Sequence, residues 1–329
     1  MKLLLAAATV LTLTTGAFAA DFDGAKKAPA APEPPKPLVA WPEPNLDVLG
    51  AGFDYAYGVK FQSDDMFRGV SQTAHRPSAT AYGELHYGWL YAGVQPWNVK
   101  LPTQPLMELD LYGGIRPVWG PLTLDFGGLY YEYPANKTQY YLGGAAPVLT
   151  FFTPGGIPTT AHDPSFLELY AKATWALNDY LSVGGNVNYD PNWNNYGAKG
   201  LYSELNAKVT FGATGLSASG AFGHYYLGRA SWIYGYSYVD PTQAFTGFAH
   251  GFKFASYNSW NLGLSYNYKV ATFDVRYYGS SLGKAGCAIN TSDPAGNAMA
   301  SIAGVGRSSW CGNAIVGSIS IDFTSATFK

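Results

Sequence analysis

From about residue 52 to residue 323 the chain alternates apolar and polar positions with a period of two. Phe53, Tyr55, Tyr57, Val59 and Phe61 fall on one side of an extended segment. Asp54, Ala56, Gly58, Lys60 and Gln62 fall on the other. The same two-sidedness recurs in Leu167, Leu169, Ala171, Ala173 and Trp175 against Glu168, Tyr170, Lys172 and Thr174. It recurs again in Trp260, Leu262, Leu264, Tyr266 and Tyr268 against Asn261, Gly263, Ser265 and Asn267. This is the period of a β-strand with one apolar and one polar face. It predicts about twelve strands, at 52–62, 79–87, 90–97, 106–116, 122–132, 166–177, 180–189, 201–211, 215–225, 259–268, 271–279 and 314–323.

The connections follow a rhythm of their own. Those after odd-numbered strands are long: 63–78, 98–105, 133–165, 190–200, 226–258 and 280–313. Those after even-numbered strands are short: 88–89, 117–121, 178–179, 212–214 and 269–270. Short turns at one end and long loops at the other are the layout of an outer-membrane barrel, with the turns in the periplasm. The expected fold is therefore all-β: a single antiparallel transmembrane β-barrel of about twelve strands. The last strand, with Ile315, Gly317, Ile319, Ile321 and Phe323 on one face, ends in an aromatic residue of the kind that barrel-assembly machinery reads. A short tail to Lys329 follows it.

Composition explains why a barrel is needed. Aromatic residues make up 16% of the chain and charged residues only 13%, against roughly 25% charged in soluble domains. No run after the first residues is long enough for a membrane helix, which needs about 20 apolar residues. A barrel hides its hydrophobicity in every second residue. At the N-terminus, Lys2, the apolar run Leu3–Thr14 and Ala17-Phe18-Ala19 read as a signal peptide, residues 1–19. Residues 20–50 are a Pro-rich periplasmic linker, since proline fixes φ and removes donors. Residues 51–329 form the barrel. With a net charge of −2 and no basic stripe, nothing points to nucleic acid. The expected partners are outer-membrane lipid, the assembly machinery and small hydrophilic solutes.

Charges of both signs fall on the inward faces. The pore-lining candidates on the strands are Lys60, Glu84, His86, Glu108, Asp110, Arg116, Asp125, Glu168, Lys172, Glu204, Lys208, Asp274 and Arg276. Such residues either set a field across an eyelet or form a salt-bridged plug, and the pattern leaves both open. Cys287 and Cys311, in an exported chain, are expected to form one disulfide that ties down the last external loop. His75, His162, His224 and His250 lie at or in long connections, and no Ser-His arrangement appears beside His86. No histidine or cysteine grouping has zinc spacing. The chain is thus not expected to be an enzyme or to carry a cofactor. The expected function is passive or weakly selective diffusion of small hydrophilic solutes. The alternative is a structural or adhesive surface barrel with a closed lumen.

One stretch goes beyond architecture. Residues 58–77 read GVKFQSDDMFRGVSQTAHRP and lead into a second strand with Tyr91-Ala92-Gly93 beyond it. Ser63, Asp64, Phe67, Arg68, Gly69, Ser71, Gln72, Thr73 and Pro77 resemble the hallmark of the TorF-type family of proposed porins, conserved Gram-negative outer-membrane proteins without an assigned substrate. The resemblance covers the first three strands and implies an outer-membrane barrel. Arg68, just past the first strand, is expected to point into the lumen and pair with a carboxylate. Glu84 and Asp64 are the nearest in sequence. The loop is then either a latch that closes the barrel mouth or a restriction of the pore.

Overall fold

The computed structural model describes residues 53–136, 163–230, 253–293 and 307–328. The expected signal peptide and Pro-rich linker lie outside these residues. Twelve long strands make the wall: β1 (Phe53–Gln62), β2 (Ser78–Tyr87), β3 (Leu90–Trp97), β4 (Glu108–Ile115), β5 (Leu122–Glu132) and β6 (Phe166–Ala176). They continue as β7 (Leu181–Trp193), β8 (Ala198–Thr210), β9 (Leu216–Leu227), β10 (Tyr257–Tyr268), β11 (Ala271–Ser280) and β12 (Ala314–Thr324). Each pairs antiparallel with its sequence neighbours. The sheet closes where β12 returns to β1, from Ala56 opposite Thr324 to Gln62 opposite Ser318. Closure satisfies every edge, which a hydrocarbon environment requires.

The alternation places each strand's two sides as the period-two pattern predicts. The outward faces of the strands carry formal charge only at Glu132 and Lys199, both at the external ends. Between the ends they present apolar side chains such as Leu205, Leu262 and Leu264, exposed by 63–74%. So much bare apolar surface in a closed barrel is the signature of a lipid-facing belt. Outward aromatics gather near the ends: Phe53, Tyr268 and Phe211 beside the turns, Phe61 and Tyr226 towards the loops. Such rings anchor a barrel at the two interfaces. Of the two two-residue turns, 88–89 uses Gly88 at φ 60° between the paired Tyr87 and Leu90. A two-residue hairpin needs that positive φ at its first central position.

This register gives a sharp expectation. Ile319→Lys should lower folding yield in liposomes by the equivalent of ~2–4 kcal/mol, because the ammonium would enter lipid at mid-depth. Ser318→Lys should fold nearly as well as the parent, since position 318 faces the lumen opposite Asp274. Equal yields for the two variants would overturn the register.

The structure departs from the sequence pattern on the external side. Strands β7 to β10 run a few residues further outward than the alternation indicates. A register shift between Asp190 and Trp193, with Pro191 inside it, breaks the period there and masks the continuation. The connection 280–313, expected to be loop throughout, contains a helix, α1 (Lys284–Thr291). Its buried Cys287 is bonded to Cys311 with a Cα–Cα distance of 5.8 Å. Anchored in this way, a helix of 8 residues persists where one alone in water would not.

Candidate functional site

The first external loop turns inward. Met66 pairs with Ser71 and Phe67 with Val70, making a small hairpin whose tip is Arg68-Gly69. Both tip residues have positive φ, 48° and 78°, as a type I′ turn demands. Glycine meets that demand at no steric cost, but arginine does not, so its position must be enforced by contacts. At Gly69 a Cβ would lie 2.9 Å from the Gly279 carbonyl oxygen and 2.9 Å from the Ser280 Cβ. The tip therefore presses against the wall at β11.

Arg68 reaches across the lumen. Its Nη2 donates to Glu168 Oε2 on β6 at 2.6 Å. The guanidinium carbon lies 4.4 Å from the Tyr202 ring centre, 4.7 Å from Tyr225 and 4.5 Å from Phe67. Arg68 is 3% exposed and Glu168 1%. A buried charge pair of this kind is costly unless its remaining polar atoms are served. Arg68 Nε and Nη1 have no hydrogen-bond partner among the described residues and face only the rings, whereas the carboxylate side is served. Asn188 Nδ2 donates to Glu168 Oε1 at 2.7 Å, and the Tyr225 hydroxyl donates to nearby Asp190 at 2.5 Å. The partner is thus Glu168, and neither Glu84 nor Asp64. Sequence distance pointed to those two, but loop residues project across a barrel rather than along the adjacent strand.

The rest of the motif builds the base of this hairpin. Asp64 accepts from Ser71 Oγ at 2.7 Å and from Thr73 Oγ1 at 2.8 Å. His75 Nδ1 lies 2.7 Å from Asp64 Oδ2, and its Nε2 lies 2.7 Å from the Ser309 carbonyl. The Ser71 amide donates to the Trp310 carbonyl at 2.7 Å, and Val70 bridges to Cys311. The disulfide-bonded loop is therefore bolted to the inward hairpin. Burial pulls the His75 pKa down, but the Ser309 carbonyl and the Asp64 carboxylate outweigh it and raise the ring above its ordinary value.

A raised histidine pKa sets the sign of a pH effect. The clamp is complete below the unfolded histidine value of about 6.5 and is lost as pH rises through the higher folded value. Proteolysis of the 63–77 loop should therefore quicken as pH rises from mildly acidic to alkaline. His75→Ala should give a fast, flat profile, and an unchanged profile in that variant would remove the clamp.

The other sequence candidates form several clusters around the inner wall. On β2 to β6, Arg116 sits just past β4, with Nη1 donating to Glu84 Oε1 at 3.0 Å and Nε to Asp125 Oδ2 at 3.1 Å. His86 Nε2 lies 2.5 Å from Glu84, and Tyr91 donates to Asp125 at 2.5 Å while also meeting the Tyr170 hydroxyl. Lys172 lies with Nζ 4.2 Å from the Tyr170 ring centre. On β11, Arg276 bonds Asp274 at 3.0 Å, Asn261 at 2.6 Å and Ser219 at 2.8 Å. Lys60 on β1 lies within the field of Asp274 and Asp322. Glu204 accepts from Tyr202 at 2.8 Å and Asn186 at 3.2 Å, and Lys208 lies nearer the periplasmic end of the same strand. Asp110 accepts from Trp97 Nε1 at 3.1 Å, one turn of the pleat below Glu108. Sequence parity placed these residues on inward faces. It did not pair them. His224, near a loop by sequence, lies on the outward face of β9 beside Asn258.

Inward tyrosines lie over glycines of the next strand. A Cβ at Gly93 would strike the Tyr112 ring, and one at Gly223 would strike Tyr202. Tyr202 in turn supports the Arg68 guanidinium. Gly223→Val should therefore displace Tyr202 and lower the thermal unfolding midpoint, with an overpacking cost of about 1–3 kcal/mol. A variant as heat-resistant as the parent would show that the ring can move freely.

External to the hairpin opens a vestibule of about 1080 Å³, including its mouth. Ten of its described lining residues are aromatic, among them Trp97, Trp193, Tyr196 and Trp310. The sequence reading missed it. The inward parity of Trp97 was the available signal, whereas Tyr196 and Trp310 come from loops without a period. Among the described residues no group of three or more His, Cys, Asp or Glu is arranged for a metal ion.

A lipid-facing belt around a closed sheet with a charge-bearing interior defines an outer-membrane β-barrel protein. The family model described as "Bacterial protein of unknown function (Gcw_chp)" matches residues 49–258, and the chain belongs to that family. No curated protein matches significantly. Similar solved structures include the NanC porin, at 11% identity and TM-score 0.38, covering 82% of this chain and 98% of that one. The Pseudomonas putida toluene transporter TodX is similar at 9% identity and TM-score 0.39, covering 83% and 88%. The Acinetobacter baumannii channel DcaP is similar at 8% and 0.35, covering 82% and 96%.

Proposed function

We propose that this barrel is a porin of the TorF type, passing small hydrophilic solutes by passive or weakly selective diffusion, with the first external loop as its constriction. The observation that carries this reading is the hairpin tip itself. Arg68 and Gly69 stand inside the lumen at the external half, with one fixed positive charge held on Glu168. Beneath it the lumen is polar, with Lys60, Lys208, Asp274 and Arg276 partly exposed, while the Lys172 Nζ is enclosed. Opposed charges across a water-filled constriction sort solutes by charge.

The closed-barrel reading draws on one observation of its own: Glu84, Arg116 and Asp125 form a buried cluster on one wall. Planar-bilayer recording of the folded protein separates the two. Discrete current steps are expected. A correctly folded, heat-modifiable barrel that stays silent would make it a structural surface protein.

A further inference from the structure

We propose that the external vestibule is a binding site for small organic cations, such as amines and quaternary ammonium compounds with an apolar substituent. The proposal names the solute class for the constricted porin above. It rests on that reading for the direction of travel and stands without it for binding.

The argument begins with what lines the space. Trp97, Tyr133, Phe166, Trp193, Tyr196 and Trp310 present rings from β3, β6, β7 and three surrounding loop segments. Aromatic faces carry negative potential and attract cations, most strongly when water is displaced. Two carboxylates join them, Asp65 from the inward loop and Glu108 from the top of β4, each more than nine-tenths buried. No lysine, arginine or histidine is among the described lining residues. Asp110 lies close behind, and its Oδ1 is buried without a hydrogen-bond partner. Of the described cations near this floor, Lys60 acts on Asp65 from β1, while Arg68 is committed to Glu168. Once ionised, three buried acids facing one ammonium leave the floor short of positive charge. An anion would meet repulsion there, and a purely apolar solute would leave the carboxylates unserved. A cation with an apolar body satisfies both rings and acids.

The acid floor also makes binding depend on pH. Burial pushes the Asp65 carboxyl up to about 7, against the pull of Lys60. The groups around it are Lys60 and Gln62 from β1, Asp64 in its own loop, Glu108 and Asp110 from β4, Tyr133 beyond β5, and Tyr278 on β11. A bound cation must displace the proton, so affinity should rise as pH passes through about 7. A neutral sugar held by the same rings would show little such dependence.

The test is titration calorimetry on the full barrel in detergent, with benzyltrimethylammonium chloride, sodium benzoate and maltose as probes. Benzyltrimethylammonium should bind roughly tenfold or more tightly at about pH 8 than at about pH 5.5. Benzoate and maltose should give no saturable heat. Glu108→Gln should weaken the cation at least about tenfold. Gln72→Lys, which places an ammonium in the lining from the loop rather than the wall, should abolish binding and keeps the test intact if Glu108→Gln does not fold. Saturable maltose binding, benzoate binding as tight as the cation's, or cation binding indifferent to both substitutions would overturn the proposal. Cation binding by a barrel that conducts nothing would leave it standing and remove the porin reading instead.

Discussion

Arg68→Ala should raise single-channel conductance several-fold and shift selectivity towards cations. The guanidinium supplies a charge-assisted bond to Glu168 and sits among the Phe67, Tyr202 and Tyr225 rings. Removing one partner of a buried ion pair costs about 3–5 kcal/mol, because the other charge is left uncompensated. Here the penalty has an outlet. The hairpin has only two paired positions on each strand, so it can lift away and let water reach Glu168 without disturbing the wall. The cost then appears as an opened path and not as an unfolded barrel. One fixed positive charge leaves the constriction at the same time, which sets the sign of the selectivity change. Arg68→Lys should fall between parent and alanine variant, keeping the charge and losing the planar fork. Lower heat resistance with unchanged conductance would make the hairpin a latch only.

Replacing both Cys287 and Cys311 by serine should free the inward hairpin at its base while the twelve-stranded wall keeps its stability. The bond spans a sequence separation of 24, and closing a loop of that length is worth about 3 kcal/mol in the chain-entropy account. That contribution is local, since neither cysteine belongs to the wall. The loop it fixes holds the hairpin through the Trp310 carbonyl, the Ser309 carbonyl and the Val70–Cys311 bridge. Amide exchange at 70–75 should accelerate by about two orders of magnitude if most of that stabilisation is lost there. Exchange in β5 to β9 should not change. Accelerated exchange in the wall, or none at 70–75, would contradict the bolted arrangement.

The comparison with known structures adds little beyond the geometry, because each match lies near 10% identity and well below half in TM-score. The belt carries the membrane assignment by itself. Twelve faces that avoid charge except at Glu132 and Lys199 are a physical statement about the solvent they meet.

The sequence alone determined the barrel, its strand order, which face of each strand meets lipid, and the joining of Cys287 to Cys311. All of these follow from local rules. A side-chain period of two is written residue by residue, a two-residue turn forces neighbours to pair, and two cysteines leave a single intramolecular pairing. The sequence also marked Arg68 as unusual, because a charged fork next to glycine past a strand end needs a partner. What it did not contain was the partner. Glu168 lies 100 residues away, on the opposite wall, and only closure of the barrel brings the two within 2.6 Å. The same holds for Arg116 between Glu84 and Asp125, and for the vestibule, whose rings come from separate loops and strand ends. Helix α1 escaped for a related reason: it is held by the disulfide and by the Asn290 side chain on the Ala255 backbone rather than by its own period. Local pattern fixes which way a side chain points, and the closed cylinder decides what it meets there.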